Sequence, residues 1–319
     1  MAKAYQGGVP VAEMVRSGFP ESRHHGSVVV LDAAGEVLAE AGDVHGPLLP
    51  RSANKPLQAI GMLHAGLRLV DPADLALVCA SHHGEDFHVS RVRALVRSAG
   101  LDETALRCPP DLPLSDGARR AVLAAGGAPT RVYMNCSGKH AGMLLTCLAA
   151  GWSVEGYQAA DHPLQQRLRA TYAAQVGAEP AAVGVDGCGA PVFAASLHGV
   201  ARAFLALVDA EPASVERTVA DAMRAHPELV AGTVGEDTRL MFGIPGLLAK
   251  AGAEGVQAAA LAGVGAVALK IDDGARRART PVLVAALHRL GLAAPVLADL
   301  AEEPVYGGGA VVGAVRALW

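Results

Sequence analysis

No run of basic residues longer than Arg276-Arg277 occurs in this 319-residue chain, and charged side chains make up only 18 % of it. With a net charge of −4 and an isoelectric point near 6.3, it lacks the electrostatic footprint of a protein that binds nucleic acid or an anionic membrane surface. No apolar run is long enough to span a bilayer: the longest weakly polar stretch, Val256 to Leu269, is short and punctuated by glycine. The opening MAKAYQGGVPVAEMVRSGFP has neither the charged start nor the apolar run of a secretory signal, so the cytoplasm is the expected compartment. Cysteine is sparse and unpatterned. Cys79, Cys108, Cys136, Cys147 and Cys188 show no C-x-x-C spacing, which argues against a disulfide framework and leaves reduced thiols. A G-x-x-x-x-G-K-[ST] phosphate loop, internal repeats and low-complexity linkers are absent as well. What remains is a well-packed globular chain, 51 % hydrophobic, long enough for one large domain or two lobes.

The stretch that stands out is Arg51 to Ala59, RSANKPLQA. Pro56 lacks a backbone N–H and is tolerated only in the first turn of a helix, which predicts a helix beginning near Ser52. Ser52 and Lys55 are then one turn apart on one face, with the serine at the positive end of the helix dipole. A serine alkoxide is inaccessible at neutral pH, and a neutral lysine one turn away can take its proton. That lysine must be brought down from near 10.4 by about 3 units, on the order of 4 kcal/mol, through burial or a neighbouring cation. A serine cap followed by an exposed lysine is the bland alternative.

Residues 27 to 40 predict two short strands joined by a turn at Asp32 to Gly35. The Ser52 helix follows, then a helix over Ala73 to Ala80 that ends in CASHHGED, Cys79 to Asp86. So many polar groups in a small-residue turn beside an apolar segment suggest that it faces a site. His82, His83 and His88 invite a metal, but no second ligand cluster has matching spacing, and surface or capping histidines are the simpler reading. Helices are predicted over Phe87 to Ser98 and residues 115 to 126. YMNCSGKHAGM, Tyr133 to Met143, reads as a loop opening onto a helix N-terminus with Cys136 and Lys139 on one face; a buried structural thiol is the competing reading for Cys136. Asp161-His162-Pro163 caps a helix to about Val176. VGVDGCGAPV, Val183 to Val192, is a glycine-rich segment holding Asp186 and Cys188. Helices over Val192 to Leu207 and Ser214 to Ala225 precede a last third of strand, strand, turn and helix, closed by a final strand over Tyr306 to Leu318. The expected architecture is mixed α/β (α+β). An antiparallel-rich sheet lobe is formed by residues 1–50 and 235–319, with a mainly helical lobe, 51–234, inserted.

RSANKPLQA, CASHHGED, NCSGKHAGM, DHPLQ, VDGCGAP, HPELVAG, KAGAEGV and ALKIDDG occur in that order, and together they resemble the asparaginase II family of thermolabile, rhizobial type, from about residue 20 to 315. The resemblance implies a fold similar to serine β-lactamases and bacterial glutaminases, and hydrolysis of L-asparagine to L-aspartate and ammonia. It matches Ser52 and Lys55 to one serine–lysine pair and Ser81 and Lys250 to a second. It further implies zinc held by Cys136, Lys139 and Cys188, with Asp186 close by, and a homodimer. Cys, His and carboxylate are the ordinary zinc ligands, so the residues alone would favour His140 over Lys139. In the chemistry that follows, the Ser52 hydroxyl attacks the side-chain amide and Ser81 shuttles protons or positions it. Asp186 binds the substrate's α-amino group or orients a lysine, and Arg51 or Asn135 receives its carboxylate.

Three other readings compete. A glutaminase differs by one methylene of substrate. A β-lactamase-like hydrolase is suggested by Ser52-x-x-Lys55 and Lys250-Ala251-Gly252, against which stands the missing S-D-N triplet. A non-catalytic zinc- or amino-acid-binding protein would keep Cys136 and Cys188 and have no need of both serine–lysine pairs.

Overall fold

A computed structural model describes residues 4–319. In chain order the elements begin with strands β1 (Val9–Arg16), β2 (Phe19–Asp32) and β3 (Val37–Ala41), then a 3₁₀ turn, Arg51–Asn54. Helices α1 (Lys55–His64), α2 (Pro72–Val78), α3 (Asp86–Ser98), α4 (Asp116–Ala124), α5 (Ser137–Ala149) and α6 (Pro163–Val176) follow. A small hairpin, β4 (Val183–Val185) and β5 (Pro191–Phe193), leads to α7 (Leu197–Asp209), α8 (Val215–Ala225), α9 (Pro227–Ala231) and α10 (Glu236–Gly243). The chain closes with β6 (Leu248–Ala251), β7 (Val256–Leu261), β8 (Gly265–Ile271), α11 (Arg276–Arg289), α12 (Pro295–Leu300), β9 (Glu302–Gly307) and β10 (Ala310–Ala317). These residues fall into two compact units: residues 4–53, 194–209 and 239–319, and residues 54–193 and 210–238.

The first unit carries an antiparallel sheet in the order β6-β7-β8-β2-β1-β10-β9, with β3 paired to β2. N-terminal and C-terminal strands thus interleave, as the mixed α/β reading expects. β2 is long enough to serve two neighbours on one edge: Phe19 to Gly26 pairs with β1 and Val28 to Leu31 with β3, while Gly26 to Asp32 pairs with β8 on the other. Val28, Val29, Val30 and Leu31 are all fully buried instead of alternating, because α7 and α11 both pack on the central strands.

The second unit is helical. α1 touches α5, α6 and α8, and α2 touches α5 and α8. Residues 55 to 62 of α1 are buried without a polar face, so it is a core helix. Gly138 permits a close approach of α5 to α2: a Cβ there would lie 2.4 Å from the Leu77 carbonyl oxygen.

Four sequence expectations are corrected. Helix α1 begins at Lys55, so Ser52 lies in the 3₁₀ turn before it: Arg51 is left-handed (φ 53°) and Ala53 N–H bonds back to Pro50 O at 3.1 Å, which ends that stretch of chain in a tight turn. The helix expected from Val192 starts only at Leu197, because Pro191–Phe193 is a strand paired with Val183–Val185. The closing strand is a hairpin, with Gly308 and Gly309 at positive φ between β9 and β10. β1 and the first half of β2 were not anticipated.

Candidate active site

α1 delivers Lys55 from its first residue into the helical core, where the side chain is 1 % exposed. A buried ammonium or amine needs polar partners. Lys55 Nζ donates to the Ala80 carbonyl in a short hydrogen bond and to Ser81 Oγ at 3.1 Å. Both acceptors sit just after α2, where the chain leaves the helix. The loop is pinned there by Ser81 N–H to Val230 O (3.0 Å) and His82 N–H to Asn135 O (3.1 Å). Lys55 is therefore partnered with a serine 26 residues away in the chain.

A second centre in the same unit is built at the N-terminus of α5 and the tip of the β4–β5 hairpin. Lys139, 1 % exposed, donates to Cys188 Sγ at 3.2 Å. Cys136 precedes α5 and its thiol lies 3.0 Å from Asn135 Oδ1. Asp186 accepts the Gly187 N–H at 2.9 Å, and its other oxygen is 3.9 Å from Cys188 Sγ. The Cys136 thiol beside it holds Cys188 far below the usual thiol range, helped by Lys139 and His140 and opposed by burial. Cys136, partnered with that thiolate and buried, is pushed up and stays a thiol. Lys139 is pulled down by burial but raised overall by the two sulfurs and Asp186.

The implied zinc ligands, Cys136, Lys139 and Cys188, are thus gathered in one place. Their chemistry fits a soft divalent cation: one sulfur is already ionised, and a cation would displace the protons of Cys136 and Lys139. Among the described residues no three His, Cys, Asp or Glu side chains converge in a metal-binding arrangement.

His82 lies between the two centres; the sequence offered a metal ligand or, more simply, a surface or capping histidine, and it is at neither the surface nor a helix cap. It is fully buried, accepts Gly84 N–H at Nδ1 (3.1 Å) and so donates from Nε2 to Ser137 Oγ at 2.7 Å, which passes its proton to Val132 O at 2.9 Å. Burial keeps its ring neutral. His88 caps α3, accepting Glu85 N–H at 3.2 Å and donating to Glu228 O at 3.0 Å. The capping reading applies to it, although it is buried and not at the surface.

In the sheet-bearing unit, Lys250 lies on β6, fully buried, with its Nζ 2.7 Å from the Ala251 carbonyl oxygen. Two residues on, Gly252 lets the Ser52 turn close in: a Cβ at 252 would lie 2.4 Å from Pro50 O and 3.3 Å from Ala53 N. Ser52 is thereby held against the end of the strand that carries Lys250. Arg51, which precedes it, is left-handed and ion-paired to Glu254 at 3.7 Å, a residue that is itself left-handed (φ 59°). Such backbone costs about 1–3 kcal/mol per residue and collects at functional sites. Glycine 252 carried no signal in the sequence beyond its place after Lys250-Ala251, and Tyr157, discussed below, carried none.

A family model for L-asparaginase II matches residues 12–317. The chain belongs to the L-asparaginase II family. It is accordingly an amidohydrolase acting on a small molecule. No curated protein matches it. Among solved structures, a candidate beta-lactamase from Bacteroides dorei DSM 17855 is 15 % identical with a TM-score of 0.45, covering 84 % of this chain and 93 % of that one. Mglu, in its tris and glutamate form, is 14 % identical with a TM-score of 0.36, covering 88 % and 63 %. Both likenesses are too distant to carry more. Among the described residues no helix is long and apolar enough to cross a membrane.

Proposed function

We propose that this family member hydrolyses L-asparagine to L-aspartate and ammonia through a serine nucleophile served by lysine. The observation that carries the reading is the buried Lys55 Nζ, 3.1 Å from Ser81 Oγ. A neutral amine in that position would still donate to the Ala80 carbonyl while its lone pair accepts the Ser81 hydroxyl proton. In the proposed sequence, Ser52 Oγ attacks the side-chain amide carbon, and its proton passes by way of Ser81 to Lys55. The tetrahedral adduct expels ammonia, which takes a proton from the lysine, and water then cleaves the acyl-serine ester. Lys250, buried on β6, serves as the second amine. Asp186 receives the substrate's α-ammonium group, with Arg51 and Asn135 the candidates for its α-carboxylate.

Zinc, when bound, would be held by Cys136, Lys139 and Cys188. Two thiolates make it a weak Lewis acid, so its contribution is to position the loops and substrate. A cytoplasmic homodimer completes the reading, and light scattering on the purified protein tests the dimer.

The decisive assay is ammonia release from L-asparagine and L-glutamine by the wild type, Ser52→Ala and Ser81→Ala, with zinc measured on the same samples. Asparagine turnover that is lost in Ser52→Ala while zinc is retained supports the scheme. A folded, zinc-loaded wild type that releases ammonia from neither amide sinks it and leaves the binding-protein reading, and preference for glutamine makes the protein a glutaminase.

A further inference from the structure

Two nitrogens stand beside the Cys136 and Cys188 sulfurs: the Lys139 amine and the ring of His140. The ring is fully buried, and its Nδ1 lies 2.6 Å from the Tyr157 hydroxyl. Tyr157 is fully buried too, and its oxygen accepts the backbone N–H of Arg107 at 2.9 Å. The backbone group can only donate, so it takes up acceptor capacity and offers nothing to the phenol's proton. Leaving that proton unpaired in the core would be costly. The one other hydrogen-bond partner of the phenol among the described residues is His140 Nδ1. In a neutral imidazole one nitrogen accepts and the other carries hydrogen, so an accepting Nδ1 means a protonated Nε2. Nε2 is buried and has no hydrogen-bond partner among the described residues; the opposite tautomer would leave the phenol's proton unpaired as well as this nitrogen. Its electrostatic neighbours are Cys188 and Lys139.

We infer that Tyr157 fixes His140 as the Nε2–H tautomer, so that Nε2 carries a hydrogen and withholds a lone pair from any cation bound at the Cys136 and Cys188 sulfurs, leaving Lys139 as the nitrogen donor. The tautomer stands on the hydrogen-bond geometry alone; its consequence for a cation rests on the zinc reading above. The arrangement explains how the more ordinary zinc ligand of the two neighbours is set aside. It places His140 and Tyr157 one and two steps behind Cys188, where such groups orient a ligand and tune its charge.

Long-range ¹H–¹⁵N spectra of the full-length, metal-free protein read the tautomer, with the His140 signals assigned by their loss in His140→Gln. The expected spectrum has Nε2 at the protonated and Nδ1 at the unprotonated position, and in Tyr157→Phe the two move toward each other as the tautomers mix. A wild type in the Nδ1–H form, or a pattern unmoved in Tyr157→Phe, overturns the inference. Should Tyr157→Phe fail to fold, the wild-type spectrum decides alone. For the cation, Co²⁺ uptake by His140→Gln should weaken about 10–100-fold, the cost of losing an outer partner, with the ligand-field bands of the saturated site unchanged. Bands altered as by loss of a ligand overturn it. A wild type that takes up neither Co²⁺ nor Zn²⁺ refutes the zinc reading while the tautomer result stands.

Discussion

A lysine that is to act as a base must be able to give up its proton, and a guanidinium cannot do so in a protein. Only five of the 27 basic residues of this chain are lysine. Three of them, Lys55, Lys139 and Lys250, are among its most deeply buried side chains. Where arginine is the default cation, the lysines that remain mark positions that need an amine. Lys55→Arg is therefore no milder than Lys55→Met. Both should lower kcat for asparagine by about 10²–10⁴-fold, the usual span for a lost general base, with circular dichroism unchanged for at least one of them. A Lys55→Arg enzyme with near wild-type kcat would remove Lys55 from the proton path. The identities of these residues were legible in the chain because their motifs are local. Their partners were not: Ser52 precedes Lys55 by three positions, but the hydroxyl that Lys55 bonds comes from Ser81, brought there by the packing of α2 against α1 and α5. Tyr157, 17 residues from His140, left no local trace at all.

The elements carry their own sensitivities. His88 at the start of α3 is pushed by burial from 6.5 to about 4, opposed in part by its hydrogen bond to Glu228. The unfolded chain binds the proton more readily, so the stability that neutral His88 contributes is present above pH 6.5 and lost as pH falls through 6.5 toward 4. The shift corresponds to roughly 3 kcal/mol. In His88→Asn the fall in Tm between those two pH values should be visibly shallower than in the wild type, and an equal slope would show that His88 does not titrate with unfolding. At the other unit's turn, Gly252→Ala places a methyl 2.4 Å from Pro50 O. The Arg51–Asn54 turn must then move, and kcat should drop by more than tenfold, while Tm falls by only a few degrees, as for a destabilisation of about 1–3 kcal/mol. Unchanged turnover would show that the seating of Ser52 is not critical. Helices α2 to α6 and the β6–β7–β8 run were readable from periodicity and caps. β1 was not, because its Val9–Arg16 stretch buries four successive residues and shows no alternation. β5 was absorbed into the apolar run that becomes α7, where three strand residues are too few for a pattern.

At the scale of the molecule, the sheet-bearing unit is assembled from three separate stretches of chain. The sequence led to the expectation of a sheet lobe drawn from both ends of the chain, 1–50 and 235–319, but gave no sign of the third stretch, 194–209, whose helix reads like the helices before it. A fragment ending at residue 234 contains β1 and β2 but neither β10 nor β8, their respective outer neighbours in the sheet. In that fragment the amides of Val28 to Leu31 should lose the protection from hydrogen exchange that they have in the whole chain, and retained protection would mean that the N-terminal strands are stable without their C-terminal partners. The same pairing has a consequence for synthesis. Val28 to Leu31, destined to be fully buried, leave the ribosome with one edge that is satisfied only when Ala266 to Leu269 arrive. At about 5–20 residues per second the delay is on the order of ten to fifty seconds. During that interval an apolar strand with an open edge is offered to every neighbouring nascent chain, so the yield of this enzyme in a cell is set by how crowded its polysomes are and by what shelters that strand.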